Sequence, residues 1–144
     1  MQIARAGYAN RYAKIIFMND KKLEQALVRL MNNPDGEFVI ASDSLSNRFI
    51  QFAGSSNESL IVDLPIQTLE ADEIKRAVRL FSEYGVKHER WKLFDEPGGK
   101  PVGIQAGFNL KVGNDIKKAV EIAMRVFKEV YKVPDNFNLN IQEA

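Results

Sequence analysis

Apolar residues recur along this chain with two different spacings, and each spacing predicts a different kind of element. Near the start, Leu23, Ala26/Leu27 and Leu30/Met31 follow one another at intervals of three to four residues, which predicts an amphipathic helix. Two later stripes with the same spacing predict two more helices. Their apolar positions are Ile74, Ala77, Val78, Phe81 and Tyr84 in the second helix, and Ile116, Ala119, Val120, Ala123, Met124, Phe127, Val130 and Tyr131 in the third.

The clearest strand signal is the segment VGIQAGFNLKV at residues 102–112. Its apolar residues occupy every second position, and the residues between them are small or polar, namely Gly103, Gln105, Gly107, Asn109 and Lys111. Side chains alternate between the two faces of a strand, so this pattern predicts one core face, including Phe108, and one face of small and polar residues.

Shorter apolar runs predict four more strands, at residues 37–41, 49–53, 60–64 and 90–95. Residues 136–141 are interpreted as a tail or a short edge strand. Short turns join most of these strands, including EPGGKP at residues 96–101, and strands joined by short turns pair antiparallel. We therefore predict an α+β domain with a five-stranded, mainly antiparallel sheet and three helices, in the order α-β-β-β-α-β-β-α.

Residues with capping side chains mark the expected helix starts. Asn19 or Asp20 is expected to begin the first helix, Thr68 to cap the second and Asn114 to cap the third. Residues 19–144 then form the single domain, and residues 1–18 are an N-terminal extension or a first element. Within that segment the aromatic and apolar spacing suits a helix, although residues 13–18 could also extend as a strand.

Composition narrows the classes of function. Twenty basic and nineteen acidic residues leave a net charge of +1, which gives no global attraction to nucleic acid or acidic membranes. The chain has no cysteine, so disulfides, thiolate zinc sites and cysteine nucleophiles are excluded, and we expect a cytoplasmic protein. No apolar run approaches the length that spans a bilayer.

Candidate catalytic chemistry is sparse. His88 is the only histidine and lies between charged neighbours, which is typical of a solvated loop residue. The acids Glu70/Asp72/Glu73 suit a predicted helix start, while Asp95/Glu96 precede a glycine turn, so neither group is expected to bind a metal. EPGGKP is followed by a strand and lacks the helix of a phosphate loop. We therefore predict no cofactor.

Aromatic residues on the predicted strands could in principle stack on nucleic-acid bases. Phe108 belongs to the core face of its strand, and Phe49 and Phe52 fall on opposite faces of theirs. No stripe of Lys or Arg accompanies them or Trp91. We therefore predict no nucleic-acid partner.

The polar face of the long strand has two interpretations. Gly103 and Gly107 allow close approach, and Gln105 and Asn109 offer amide donors and acceptors, which suits a contact with a partner or another subunit. A plain solvent-facing strand also fits this pattern and is slightly preferred. Ile61 shares a predicted strand face with Asp63 and is a second candidate for partner binding. The rest of residues 47–65 is interpreted as scaffold, so the contact surface is expected at the later hairpin and the middle helix.

The predicted order of elements resembles the type III secretion chaperones and their stand-alone relatives, the YbjN-like (TY-Chap) superfamily. The segments GEFVIASDSLSNRFIQFAGSSNESLIVDLP and AMRVFKEVYKVPDNFNL are similar to the pattern of that superfamily, and the resemblance extends from Asp20 to Leu139. Dedicated secretion chaperones tend to be acidic, so the charge of +1 favours a stand-alone, YbjN-like role.

The resemblance implies a non-enzymatic, chaperone- or adaptor-like domain that binds a segment of another protein, often as a homodimer. Two alternatives stay open. One is an immunity-type or regulatory subunit that binds one folded partner. The other is a small enzyme that uses carboxylates such as Asp63 or Asp95, which would have to converge with another acid in a concave pocket.

Overall fold

Nine main elements follow one another along the chain. A computed structural model describes the backbone of residues 2–87, 89–94 and 101–144, and the side chains of residues 13–87 and 107–144. The elements are α1 (Gln2–Met31), β1 (Phe38–Asp43), β2 (Phe49–Ser55), β3 (Glu58–Pro65), α2 (Ala71–Ser82), β4 (Glu89–Phe94), β5 (Pro101–Gly113), α3 (Ile116–Arg125) and β6 (Leu139–Glu143). The predicted α+β class and the order α-β-β-β-α-β-β-α are confirmed, with β6 added at the end.

The strands form one sheet in the order β4-β5-β3-β2-β1-β6, and every neighbouring pair is antiparallel. The last segment, interpreted as a tail or an edge strand, is an edge strand. It pairs with β1 from Val39↔Glu143 to Asp43↔Leu139, so the sheet has six strands instead of the five that the stronger apolar runs predict.

The helices cover one face of this sheet and bury alternate residues of its strands. Buried sheet residues include Val39, Ile50, Phe52, Val62, Leu64 and Phe108. The rings of Phe108 and of Phe81 on α2 are stacked with their centroids 4.9 Å apart, which fixes α2 against β5. The predicted core position of Phe108 is confirmed.

Helix α1 begins much earlier than predicted. It runs without interruption from Gln2 to Met31, so Asn19 and Asp20 are not caps, and residues 13–18 are helical instead of extended. The proposed boundary between residues 18 and 19 falls inside this helix. Asn19 is buried, and its side chain forms two hydrogen bonds to the backbone near the end of the chain. Nδ2 donates to the Phe137 carbonyl at 2.9 Å, and Oδ1 accepts from the Leu139 N–H at 3.4 Å.

The starts of α2 and α3 also differ from the predictions. Thr68 lies in a short 3-10 turn, and α2 is capped by a reciprocal capping box between Glu70 and Glu73. Helix α3 is capped by Asp115, which accepts from the Lys118 N–H at 3.0 Å, instead of by Asn114. The helix then continues into a π-helical turn over Val126–Val130.

Arg48, just before β2, joins the start of α2 to the sheet. Its guanidinium lies 3.0 Å from a carboxylate oxygen of Glu70 and 3.3 Å from one of Glu73, and it also donates to the Thr68 carbonyl. Because the Glu73 side chain is almost completely buried, Arg48 supplies the charge that its carboxylate needs there. Arg48 also lies over the ring of Tyr131, whose hydroxyl donates to the Phe49 carbonyl.

Substituting Arg48 by alanine is expected to destabilise the domain, since Glu73 would stay buried without its cation. We expect a loss of about 2–3 kcal/mol in the free energy of unfolding, less than for a fully buried pair because Arg48 is partly exposed. Urea unfolding followed by circular dichroism measures the change. Arg29→Ala, which breaks the exposed Arg29–Glu143 pair, is the matched control and should change the stability far less, because exposed ion pairs contribute little. Equal effects of the two substitutions would contradict this role of Arg48.

Candidate functional site

The sheet face that the helices leave uncovered is the candidate functional surface, and it is called the open face below. Strand alternation and the strand register place one set of described side chains and one glycine on it. They include Phe38 and Ile40 of β1, Gln51 and Ala53 of β2, Ile61 and Asp63 of β3, and Gly107, Asn109 and Lys111 of β5. Most of them are half-buried although no helix among the described residues lies over them.

A shallow groove of about 280 Å³ crosses the middle of the open face. It is lined by Phe38, Ile40, Gln51, Phe52, Ala53 and Asp63. Its walls are mostly apolar, and Asp63 is the only charged residue among those that line it. The groove therefore combines an apolar surface with a single carboxylate, which suits a ligand that has both apolar and polar parts.

Three polar side chains lie side by side next to the groove because of the strand register. Gln51 pairs with Asp63, and Asp63 pairs with Asn109 on the following strand. The side-chain amide of Gln51 donates a short hydrogen bond to the Asp63 carboxylate. On the other side lies Gly107, where an added Cβ would be in van der Waals contact with Asp63 Oδ1 at 3.4 Å.

The surroundings of Asp63 disfavour its charged form. Burial raises the pKa of the Asp63 carboxyl, and the hydrogen bond from Gln51 opposes that rise in part. No described Lys or Arg side chain forms an ion pair with it. Lys111 is exposed on the same face, but it pairs with Ile61 in the next row of residues. Asp63 is thus a half-buried acid whose partner is a neutral amide.

The residues predicted to bind a partner fall partly on this surface. Ile61 and Asp63 do share a strand face, and Gly107 and Asn109 lie beside them. Within the chain, a Cβ at Gly107 would lie 3.3 Å from the Leu64 carbonyl oxygen, and the close approach of a partner there stays a prediction. Gly103 and Gln105 pair through their backbones with Leu93 and Trp91 of β4, and their side chains lie outside the described residues. Partner binding by any of these residues stays a prediction.

The groove itself was not predicted, although the sequence carries a signal for it. In β1 and β2, apolar residues stand at almost every position, which hides the alternation between a core face and an open face. Gln51, the one strongly polar residue within that run, marks the uncovered face. The register that brings Ile40, Gln51 and Asp63 into one row is a property of the sheet and cannot be read from any single strand.

Within the described part of the chain, the remaining candidate groups supply no second acid for Asp63. Glu70 and Glu73 cap α2 and bind Arg48. His88, Asp95 and Glu96 lie outside the described residues, as does most of the EPGGKP turn. Among the residues that the structure describes, no group of three His, Cys, Asp or Glu side chains is placed to hold a metal ion.

A second groove, of about 420 Å³, lies between α1 and α3 and has a mixed-charge lining. It is lined by Asp20, Glu24, Lys117, Val120, Glu121, Met124, Arg125 and Lys128. Arg125 is already engaged there, because it forms ion pairs with Glu83 and Glu129. The pair with Glu83 joins α3 to the end of α2, which indicates a structural function for Arg125.

Asp63→Asn is expected to stabilise the protein at neutral pH, because the amide keeps the shape of the carboxyl and carries no charge. The pKa of Asp63 is raised in the folded state, so below the ordinary pKa of aspartate the carboxyl is neutral and does not lower the unfolding free energy. As the pH rises through the raised pKa of the folded state, the buried carboxylate lowers the unfolding free energy of the wild type. The difference in unfolding free energy between variant and wild type should therefore grow from acid to neutral pH. Urea unfolding at several pH values measures it.

The exposed turn residue Asp35 provides the matched control for this measurement. Asp35→Asn should leave the stability almost unchanged across the same pH range. A stability difference for Asp63→Asn that is flat with pH, or that falls as the pH rises, would contradict the unfavourable burial of this carboxylate.

No helix in the described part of the chain is long and apolar enough to cross a membrane. Comparison of the chain with protein-family models, with curated proteins and with solved structures finds no match. The open face and its groove therefore carry the functional interpretation.

Proposed function

We propose that this chain is a non-enzymatic, chaperone- or adaptor-like domain of the cytoplasm that binds an extended, apolar segment of another protein on its open face. The observation that carries the proposal is the groove lined by Phe38, Ile40 and Ala53, on a sheet face over which none of the described helices lies. Uncovered apolar surface of this kind is typical of protein-binding sites. The resemblance to the YbjN-like superfamily supports the same function.

Binding would bury apolar side chains of the partner against those of the open face. The half-buried state of Phe38, Ile40 and Ile61 leaves part of each side chain in contact with water, and a partner segment would remove that contact. Strand β3 is already hydrogen-bonded to β2 on one side and to β5 on the other. The segment would therefore lie across the strands and would not extend the sheet at this point.

Capture of partners from the native lysate, quantified by mass spectrometry, tests the function. Ile61→Glu places a charge on the open face and should lower the recovery of specific partners about tenfold, because burying an unpaired charge opposes binding. Ala53→Glu, at an exposed position in the groove, should do the same with less risk to folding.

Val78→Glu is the control for this capture, since Val78 is 43% exposed on α2, away from the open face. It should retain the partners that the wild-type protein binds. If both open-face variants fold and still capture the same proteins in the same amounts, the open face is not the binding surface.

We also propose that the protein is a homodimer that pairs through α1. Phe17 and Met18 are 61% and 58% exposed, which is unusual for large apolar residues of a helix and leaves an apolar patch that no described residue covers. Lys14 and Asp20 lie three residues to either side of Phe17. Two copies paired antiparallel at Phe17 would place each Lys14 beside the Asp20 of the other copy, as a two-fold interface requires.

Asp20 gives this pairing further support. Its pKa is raised by burial and by the nearby charge of Glu24, and its Oδ1 atom has no hydrogen-bond partner among the described residues. A lysine of a second copy near Asp20 would oppose this rise in the pKa of its carboxyl.

Phe17→Glu is expected to convert the dimer into a monomer, because it places a charge at the centre of the apolar patch. Light scattering at several protein concentrations should give twice the chain mass for wild type and the single chain mass for the variant. Val28→Glu, 40% exposed on the same helix, should stay dimeric. A wild-type protein that is monomeric at all concentrations would overturn the dimer and would leave the open-face function untouched.

A further inference from the structure

Asp63 is the feature of the open face that apolar docking alone does not explain. If the groove served only to bury apolar segments, a neutral residue at this position would give tighter binding. With Asp63 there, each binding event must desolvate a carboxylate. Gln51 donates to one of its oxygens, and no described cation reaches it. Among the described side chains, the acid therefore has no charged partner at the place where another chain is proposed to dock.

The geometry points to a Lys or Arg side chain of the partner segment as the occupant of the groove, with its cation against Asp63 and its methylene stem along Phe38, Ile40 and Ala53. This inference rests on the proposed function and specifies the chemistry of the segment that the open face binds. It predicts a basic residue flanked by apolar residues as the recognised pattern.

The dimensions and lining of the groove fit such a side chain. Phe38 and Ile40 stand on β1 and Asp63 stands on β3, and two steps of strand spacing separate β1 from β3 by about 10 Å. Lys and Arg combine a flexible apolar stem with a charged end, so they can cover the apolar part of the groove and reach the carboxylate together. A purely apolar side chain would cover the apolar lining but leave the carboxylate without a partner. An acidic side chain would be repelled by the carboxylate.

The polar neighbours favour an organic cation over a metal ion. Hard cations such as Ca²⁺ bind six to eight oxygen ligands. Near Asp63, the described open face offers one carboxylate and the side-chain amides of Gln51 and Asn109. Gln51 presents its amide N–H to the carboxylate, so its nitrogen points toward the place where a metal ion would bind. An ammonium or guanidinium group needs only the acceptor sites of Asp63 that this hydrogen bond leaves free.

The test is a selection of linear peptides displayed on phage, carried out on the full chain and on Asp63→Asn. Wild type is expected to enrich peptides in which Lys or Arg is flanked by apolar residues. Those peptides, once synthesised, should bind Asp63→Asn at least about tenfold more weakly, since the variant keeps the shape and loses the charge. Asp35→Asn should bind them as wild type does.

A second variant separates failure of this inference from failure of the proposed function. If peptides are selected whose binding is lost in Ala53→Glu but which carry no basic residue, or which bind Asp63→Asn equally well, the cation inference is overturned and open-face binding stands. If no selected peptide depends on Ala53, the proposed function fails together with the inference. If free spermidine binds in an Asp63-dependent manner and no peptide does, the occupant is a small polyamine and the inference is also overturned.

Discussion

A six-stranded sheet has two faces, and the described helices of this chain pack against only one of them. This imbalance governs the rest of the structure. On the covered face every second residue of a strand is buried among helices, so apolar side chains there contribute to stability without cost. On the other face the same kinds of residue remain partly in water, and several of them line a groove.

Polar contacts at the margins keep the helical layer in place. Asn19 of α1 binds the backbone that leads into β6, and Arg48 at the start of β2 binds the first turn of α2. Arg125 joins α3 to the end of α2 through Glu83. Hydrophobic packing is non-directional, so these few directional contacts define how the helices are placed over the sheet. None of them lies on the open face, where Asp63 has only Gln51 as a hydrogen-bond partner among the described side chains.

Sequence patterns predicted the class of fold and the order of its elements because both follow from local periodicity. The helix starts were wrong for a physical reason: Asn19 and Thr68 have the chemistry of caps but use it for a tertiary contact or a short turn. Strand β6 was left open because five residues with little apolar content give a weak signal. The groove required the register between β1, β2 and β3, and no single segment contains that information.

The topology also orders events during synthesis. Asn19 is separated from its hydrogen-bond partner Phe137 by 118 positions in the chain, and β1 pairs with β6 across a similar distance. Until residue 139 has emerged from the ribosome, the outer edge of β1 and the buried side of Asn19 have no partner. An unpaired strand edge next to apolar core residues is prone to aggregate. Complete folding of the nascent chain therefore requires the synthesis of β6. Any factor that shields β1 before then would raise the yield of folded protein.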